Sequence, residues 1–521
     1  MFDPPKTSLS LRSDGAVAIC IAVVALAALH WFYARGLTNT YGDAIAHMEG
    51  ARRIFDSLNP GYSEIGSVWL PLFHILASPL AQSDFLWRTG LAGSFVSCAA
   101  FGGAAWFLYR LGTAMGGGRA AGILALAGVL LSPNLLYLAS TPLTECLALF
   151  WTVLVVYSLF SYQQAGRMRS LLVAAGAALL GTLTRYDEWY VLPFAALFVL
   201  LARPEHWSLR FRHAALFSLL AGAGPLLWLL HNAYRFGNPL DFYNGPFSAQ
   251  AIYAHQLATS AFPYPTDGKL MLSGRYYLED LKLLFGFWPL ELAMLGLVTY
   301  TVNRRAWKIG AAAFLFLVPL PFYIHALAYA GVPLYVPTLF PFAYYNLRYG
   351  SEMLPALALF PIFVLPRALP QGLRHGLLVL FLALYFVQTC WLWRGGSDQL
   401  VVAKESLVNT PCRSGRQQAI IRFFREHYDG GRVLLAAGRW PCLMPEVGIH
   451  YRDTISERNR DYWRQLTPHA GKWVEWIIRG DGDAVDRLMR AYPQAFAQFE
   501  LRERDSFPIE RGVAIYRKNS D

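Results

Sequence analysis

Residues 41–53 read YGDAIAHMEGARR and set a carboxylate, Asp43, and an imidazole, His47, four positions apart. On a helix the two share a face. Asp43 is suited to general-base work, or to favouring the N-terminus of the helix it begins. His47 could join it on a metal, hydrogen-bond a phosphate, or simply be an interfacial histidine. A metal needs a third ligand. Glu64 and His74 lie further along the same stretch, so a divalent metal stays open, with Asp43, His47 and Glu64 as its candidate ligands. Further on, STPLTECL offers Thr141 as a helix N-cap, Pro142 as a first helical residue, and Glu145. Glu145 either complements the helix dipole or is an acid used for function. TRYDEWY supplies Arg185, Asp187 and Glu188, and YYNLRYGSEMLP supplies Arg348 and Glu352. Interfacial anchors and small-value ion pairs are the plain alternatives. Guanidinium is nevertheless the side chain best shaped for phosphate oxygens. A Gly-rich phosphate loop, a GxSxG elbow and a CxxC pair are all missing from the sequence.

The elements that must hold these residues are apolar. The chain has 521 residues, 55% of them hydrophobic and 15% charged, with a mean hydropathy of +0.32. Stretches of roughly 17 to 25 apolar residues are long enough to cross a bilayer as helices. The sequence predicts eleven: 16–33, 85–109, 119–138, 142–162, 169–184, 188–202, 213–233, 281–302, 307–329, 349–366 and 375–392. The formal charge of +11 does not point to nucleic acid, because the basic residues are spread over short loops. Alternate loops carry Lys6 and Arg12; Arg110 and Arg119; Arg167 and Arg169; Arg203, Arg210 and Arg212; Arg304, Arg305 and Lys308; and Arg367 and Arg374. By the positive-inside bias the N-terminus is cytoplasmic and the C-terminus outside. The expected localisation is a multi-pass protein of the plasma or inner membrane.

On that topology the candidate residues face outward together. The first external loop, 34–84, is expected to hold an interfacial amphipathic helix, with Ile45, Met48, Ile54, Phe55 and Leu58 among its charges. It should also hold a re-entrant or interfacial helix in VWLPLFHILASPL. Residues 393–521 have soluble composition and predict a small α/β domain. Its strands are read in RVLLAAG, KWVEWIIRG and GVAIYRK and its helix in GDAVDRLMRAY. In an oxidising compartment Cys412 and Cys442 of this domain would pair. Carboxylates and arginines gathered outside, where no nucleotide is at hand, suit an anionic lipid.

In GDAIAH (42–47), PGYSEIGSVWLPLFH (60–74), STPLTE (140–145), TRYDEW (184–189) and LRYGSEMLP (347–355) the chain resembles the C-type (GT-C) membrane glycosyltransferases. Within them it resembles the branch of protein O-mannosyltransferases and the lipid A aminoarabinose transferase. The resemblance spans roughly residues 15 to 392 and implies a polytopic α-helical fold. It implies a catalytic membrane domain at 1–392; the domain at 393–521, extracytoplasmic by the charge bias, lies outside the resemblance and differs in kind from the β-rich domains of some relatives. It further implies sugar transfer, with inversion, from a polyprenyl-phosphate-sugar donor to an extracytoplasmic lipid, glycan or protein. Asp43 would be the base, and Arg185 and Arg348 would hold the donor phosphate. His47, Glu64, His74, Glu145, Asp187 and Glu352 would bind substrate or support the site. The acidic motif here is a single Asp followed by Ala, so a second acid falls to Glu64 or Glu145. A transporter or flippase of lipid-linked sugars, or a non-catalytic membrane subunit, are the rival readings.

Overall fold

The computed structural model describes residues 11–116, 118–259, 262–302, 310–365, 369–504 and 512–519. Lys6, Arg304, Arg305, Lys308 and Arg367 of the charge pattern lie outside the described residues. The chain divides into two compact units. The first comprises Met1–Thr38, Ser67–Phe73 and Ser94–Val408, and the second Asn39–Gly66, His74–Gly93 and Asn409–Asp521.

The first unit is built of helices. Among the described residues six are long and apolar enough to cross a membrane: Asp14–Tyr33, Leu91–Met115, Glu145–Ala165, Trp207–Phe236, Ala311–Tyr329 and Gln371–Trp393. Trp207–Phe236 shows the pattern clearly. Phe217, Ala221, Gly224 and Trp228 are buried along one stripe, and Leu219, Leu226, Leu227 and Leu230 are exposed on the rest of its surface, as lipid requires. The buried stripe approaches its neighbour closely. A Cβ at Gly224 would stand 2.1 Å from Thr182 Oγ1, so only glycine fits there. The chain is an integral membrane protein.

Among the described residues there are six such helices, or up to eight if each bent pair is one crossing, rather than eleven uninterrupted ones. The departures have local causes. The predicted 119–138 span bends by 70° between Arg119–Leu130 and Pro133–Ala139, where Pro133 cannot donate a helical hydrogen bond. The predicted 281–302 span crosses the break in a helix pair, Leu270–Phe285 and Phe287–Val302, bent by 115°. Gly286 makes that turn at φ +79°, a conformation that favours glycine. The predicted 349–366 span is a 3₁₀ turn (Leu347–Met353), a short helix (Leu354–Leu359) and a second 3₁₀ turn (Phe360–Val364), with Pro355 and Pro361 interrupting it. Met168–Thr182 and Asp187–Leu201 are helices of 15 residues each, short for a full crossing.

The second unit carries a five-stranded sheet in the order β2-β1-β3-β5-β4. Its strands are β1 (Val433–Leu434), β2 (Thr454–Ile455), β3 (Trp476–Gly480), β4 (Phe499–Arg504) and β5 (Val513–Lys518). β1 pairs in parallel with β2 and β3, while β5 runs antiparallel to β3 and β4. Each of the three predicted strands is present, although RVLLAAG contributes only two residues. The predicted helix appears as Ala484–Ala491, capped by Asp483, whose side chain accepts from Asp486 N at 2.8 Å. Leu434, Ile455, Ile477, Val485 and Phe499 form the core, and Leu58 from the loop read at 34–84 packs on it. Cys412 and Cys442 form a disulfide with their Cα atoms 5.5 Å apart.

That loop also corrects an expectation. Gly42–Arg53 is a helix, but not one lying at an interface with its charges in water. Glu49, Arg52 and Arg53 are buried along with Ile45 and Met48. Their partners make this possible, since a buried charge must be paired and hydrogen-bonded. Arg52 donates to Asp56 at 2.7 Å and to the carbonyls of Ala81 and Gln82 at 2.8 Å. Arg53 pairs with Glu64 at 2.7 Å, and Glu49 with Arg458 at 2.9 Å. The VWLPLFHILASPL stretch gives only a six-residue helix, Leu72–Ala77, and a 3₁₀ turn, Leu80–Gln82.

Candidate functional site

In the first unit the segment between helices Met168–Thr182 and Asp187–Leu201 presents Arg185. Its Nη1 lies 3.0 Å from Glu145 Oε1 and 3.0 Å from Thr144 Oγ1. Its Nε lies 3.3 Å from Asp187 Oδ2 and 3.4 Å from Glu352 Oε1. Nη2 donates to Tyr323 OH at 2.8 Å, and that hydroxyl donates to Asp187 Oδ2 at 2.8 Å. Arg348, on the 3₁₀ turn Leu347–Met353, brings Nε to 2.8 Å from the same Glu145 Oε1. Two guanidiniums therefore meet on one carboxylate, and three carboxylates surround them. Glu145, Asp187, Glu352 and Arg348 are all buried. Such pairs hold only with good geometry and further hydrogen bonds, and losing one member strands a charge.

The helix that carries Glu145 starts differently from the sequence expectation. Thr141 does not cap it, and Pro142 is not its first residue. Thr141 Oγ1 donates back to Leu138 O at 2.8 Å, which closes the end of Pro133–Ala139. The helix begins at Glu145 itself. Its first residue is therefore the carboxylate that both arginines share. Glu145 Oε2 and Asp187 Oδ1 are buried without a hydrogen-bond partner among the described residues. Buried acceptors of this kind cost free energy until a donor meets them.

Several parts of the cluster were not read from the sequence. Tyr323 in PLPFYIHAL looks like any interfacial aromatic, yet its hydroxyl ties Arg185 to Asp187. Its ring stacks between Tyr277 at 5.4 Å and Tyr349 at 5.2 Å. Arg185 and Arg348 lie 5.8 and 5.5 Å from the Tyr349 ring centroid, within cation–π range. Glu188, noted beside Asp187, accepts a hydrogen bond from Thr152 instead of joining the arginines.

Asp43, His47, Glu64 and His74 belong to the second unit. Asp43 is half-buried in the first turn of Gly42–Arg53, and the helix N-cap is Tyr41, without a side-chain cap bond. His47 Nδ1 lies 2.9 Å from His74 Nε2. Burial lowers the His74 pKa to about 4. Glu64 is engaged by Arg53. Asp43, His47 and Glu64 are thus not assembled as a ligand set, and no group of three His, Cys, Asp or Glu able to hold a metal occurs among the described residues. One turn on, Asp56 is held between Arg52 and His450. Burial would raise its pKa, but hydrogen bonds from Arg52 and His450 outweigh that and lower it.

No protein-family model matches this sequence, and no curated protein does. Solved structures do. ArnT from Cupriavidus metallidurans bound to undecaprenyl phosphate aligns with TM-score 0.57 and 11% identity, over 97% of this chain and 98% of its own. The apo state of the same protein aligns with TM-score 0.55 and 13% identity over the same shares. Arabinofuranosyltransferase AftD from Mycobacteria aligns with TM-score 0.44 and 15% identity, over 100% of this chain and 41% of its own. At near-complete coverage of both chains, the ArnT alignments show that this chain has the fold of ArnT.

Proposed function

We propose that this protein is a membrane glycosyltransferase. It moves a sugar from a polyprenyl-phosphate donor to an extracytoplasmic acceptor, with inversion. The N-terminus is cytoplasmic and the domain after the last span is outside. The observation that carries the reading is the pair of guanidiniums, Arg185 and Arg348, on the shared Glu145 carboxylate. The setting supports it: the fold is that of ArnT, whose structure holds undecaprenyl phosphate.

The chemistry follows from the groups present. As the bond from the anomeric carbon to the phosphate oxygen breaks, the leaving phosphate gains negative charge. Arg185 and Arg348 stabilise that charge by bidentate, charge-assisted hydrogen bonds. The spare oxygens of Glu145 and Asp187 are acceptors of the kind that sugar hydroxyls satisfy. Asp43 is assigned the proton of the acceptor hydroxyl. That oxygen forms the new bond to the anomeric carbon from the face opposite the departing phosphate, and the configuration inverts.

The test is transfer by the purified protein in lipid vesicles, with a polyprenyl-phosphate-linked sugar as donor. Arg185→Ala and Arg348→Ala should raise the donor KM before they lower kcat, because a phosphate loses a charge-assisted partner. Unchanged donor KM in both variants would overturn the phosphate assignment.

A further inference from the structure

Arg348 is carried on the 3₁₀ turn Leu347–Met353, whose first backbone N–H groups have no partner within the turn. Asn346, the residue before it, adopts φ +59° and offers no side-chain cap. Its own Nδ2 instead donates to Pro333 O at 2.9 Å. The cap comes from far along the chain. The Glu405 carboxylate accepts from Asn346 N at 2.6 Å through Oε1 and from Leu347 N at 2.9 Å through Oε2. Both oxygens are used on consecutive amides immediately before Arg348.

Glu405 is 1% exposed and sits on helix Val401–Asn409, which is itself fixed. Val402 N donates to Asn134 Oδ1 at 3.3 Å, and Tyr137 OH to Ser406 Oγ at 2.7 Å. The far side of the turn is held by Asp280, whose Oδ2 accepts from Gly350 N at 3.0 Å. A Cβ at Gly350 would come within 2.8 Å of that oxygen, so the approach requires glycine. A buried carboxylate that receives two amides is a strong and directional clamp. Here it acts on the backbone from which a guanidinium is aimed at Glu145.

We infer that Glu405 is a positioning residue for Arg348. It acts through the Asn346–Leu347 backbone, and its loss weakens recognition of the donor phosphate. The inference rests on the phosphate reading of Arg348 given above. Glu405→Gln leaves one oxygen for two amides and turns an NH₂ toward the second. Glu405→Asp keeps the charge at shorter reach.

The experiment is a titration of undecaprenyl phosphate against the full-length protein in detergent, read by native mass spectrometry. It compares wild type, Glu405→Gln, Glu405→Asp, Arg348→Ala, and each Glu405 variant combined with Arg348→Ala. Glu405→Gln should weaken binding about tenfold, the order of the difference between charged and neutral hydrogen bonds. Glu405→Asp should restore part of that loss. With Arg348 already replaced, either Glu405 variant should add less than about twofold, because residues acting through one another are not additive. A structural role would instead weaken binding equally in both backgrounds. That result, or no loss in Glu405→Gln, overturns the inference while the reading of Arg348 stands. If Arg348→Ala itself binds as wild type, both fall. Should Glu405→Gln fail to fold, the Glu405→Asp cycle carries the same comparison.

Discussion

Acidification should loosen the unit that carries Asp43 through a single imidazole. His74 is buried against helix Gly42–Arg53, where a Cβ on Gly50 would lie 3.0 Å from its ring. Its Nε2 faces His47 Nδ1 at 2.9 Å. Two nitrogens at that distance share one proton, and adding a second would set two donors face to face. Burial brings the folded pKa from 6.5 to about 4. Between these values the unfolded chain binds a proton that the folded protein refuses, so stability falls as pH drops through the window. At one pKa unit per 1.36 kcal/mol, the loss is about 2 kcal/mol on going from about pH 7.5 to about pH 5, and about 3 kcal/mol below pH 4. Asp56 does not contribute between about pH 7.5 and about pH 5, because its carboxyl, lowered from the ordinary value, stays ionised there in the folded and the unfolded chain alike.

The assay is amide hydrogen exchange in helix Gly42–Arg53 at the two pH values, corrected for the intrinsic rate, in wild type and His74→Gln. Glutamine reaches toward His47 as Nε2 does, but does not titrate. The wild type should lose roughly thirtyfold in protection where exchange reports the unfolding equilibrium, the population change that about 2 kcal/mol implies. His74→Gln should lose far less. An equal loss in both proteins would refute the assignment to His74.

Asp43→Asn should remove transfer while donor binding persists, with a rate loss of about 10²- to 10⁴-fold for an absent general base; near-normal transfer would return Asp43 to a helix-terminal role. Glu145→Gln should destabilise the protein by roughly 3–5 kcal/mol, because the buried Arg348 and the part-buried Arg185 lose a shared partner, and a melting temperature equal to wild type would contradict the cluster. Replacing both Cys412 and Cys442 by serine should cost about 3.6 kcal/mol of stability in the chain-entropy model, read as a lower unfolding temperature in the absence of reductant. Reporter fusions after Arg167 and after Arg394 should report opposite sides of the membrane; the same side for both would break the topology.

The membrane class was legible because apolar runs of the right length dominate the chain, and the likeness in fold to ArnT agrees with the resemblance that its motifs carry. The interruptions were harder to read. Hydropathy averages over Pro133 and Gly286, although each redirects the backbone. Arg185, Arg348, Glu145, Asp187 and Glu352 were all singled out from sequence, and the structure brings them together. Their sharing of Glu145 was not legible, because it depends on helices far apart in sequence. Glu405 was hidden for another reason. In VAKESLVN it reads as one charge among others on a soluble helix, and only tertiary structure shows its two backbone partners. The helix Gly42–Arg53 misled through its composition. Arg52 and Arg53 look solvated until Asp56, Glu64 and the backbone carbonyls that receive them are seen.

The central claim is that this protein transfers a sugar from a lipid-linked donor. Mass analysis of membrane lipids and surface glycans, from cells with the gene intact, deleted, and restored as Asp43→Asn, tests it most directly. The account predicts that one lipid or glycan species carries a single sugar residue only when the intact protein is present, and that Asp43→Asn matches the deletion. Identical spectra in all three, or a deletion that only redistributes an unchanged lipid-linked sugar across the membrane, would contradict it.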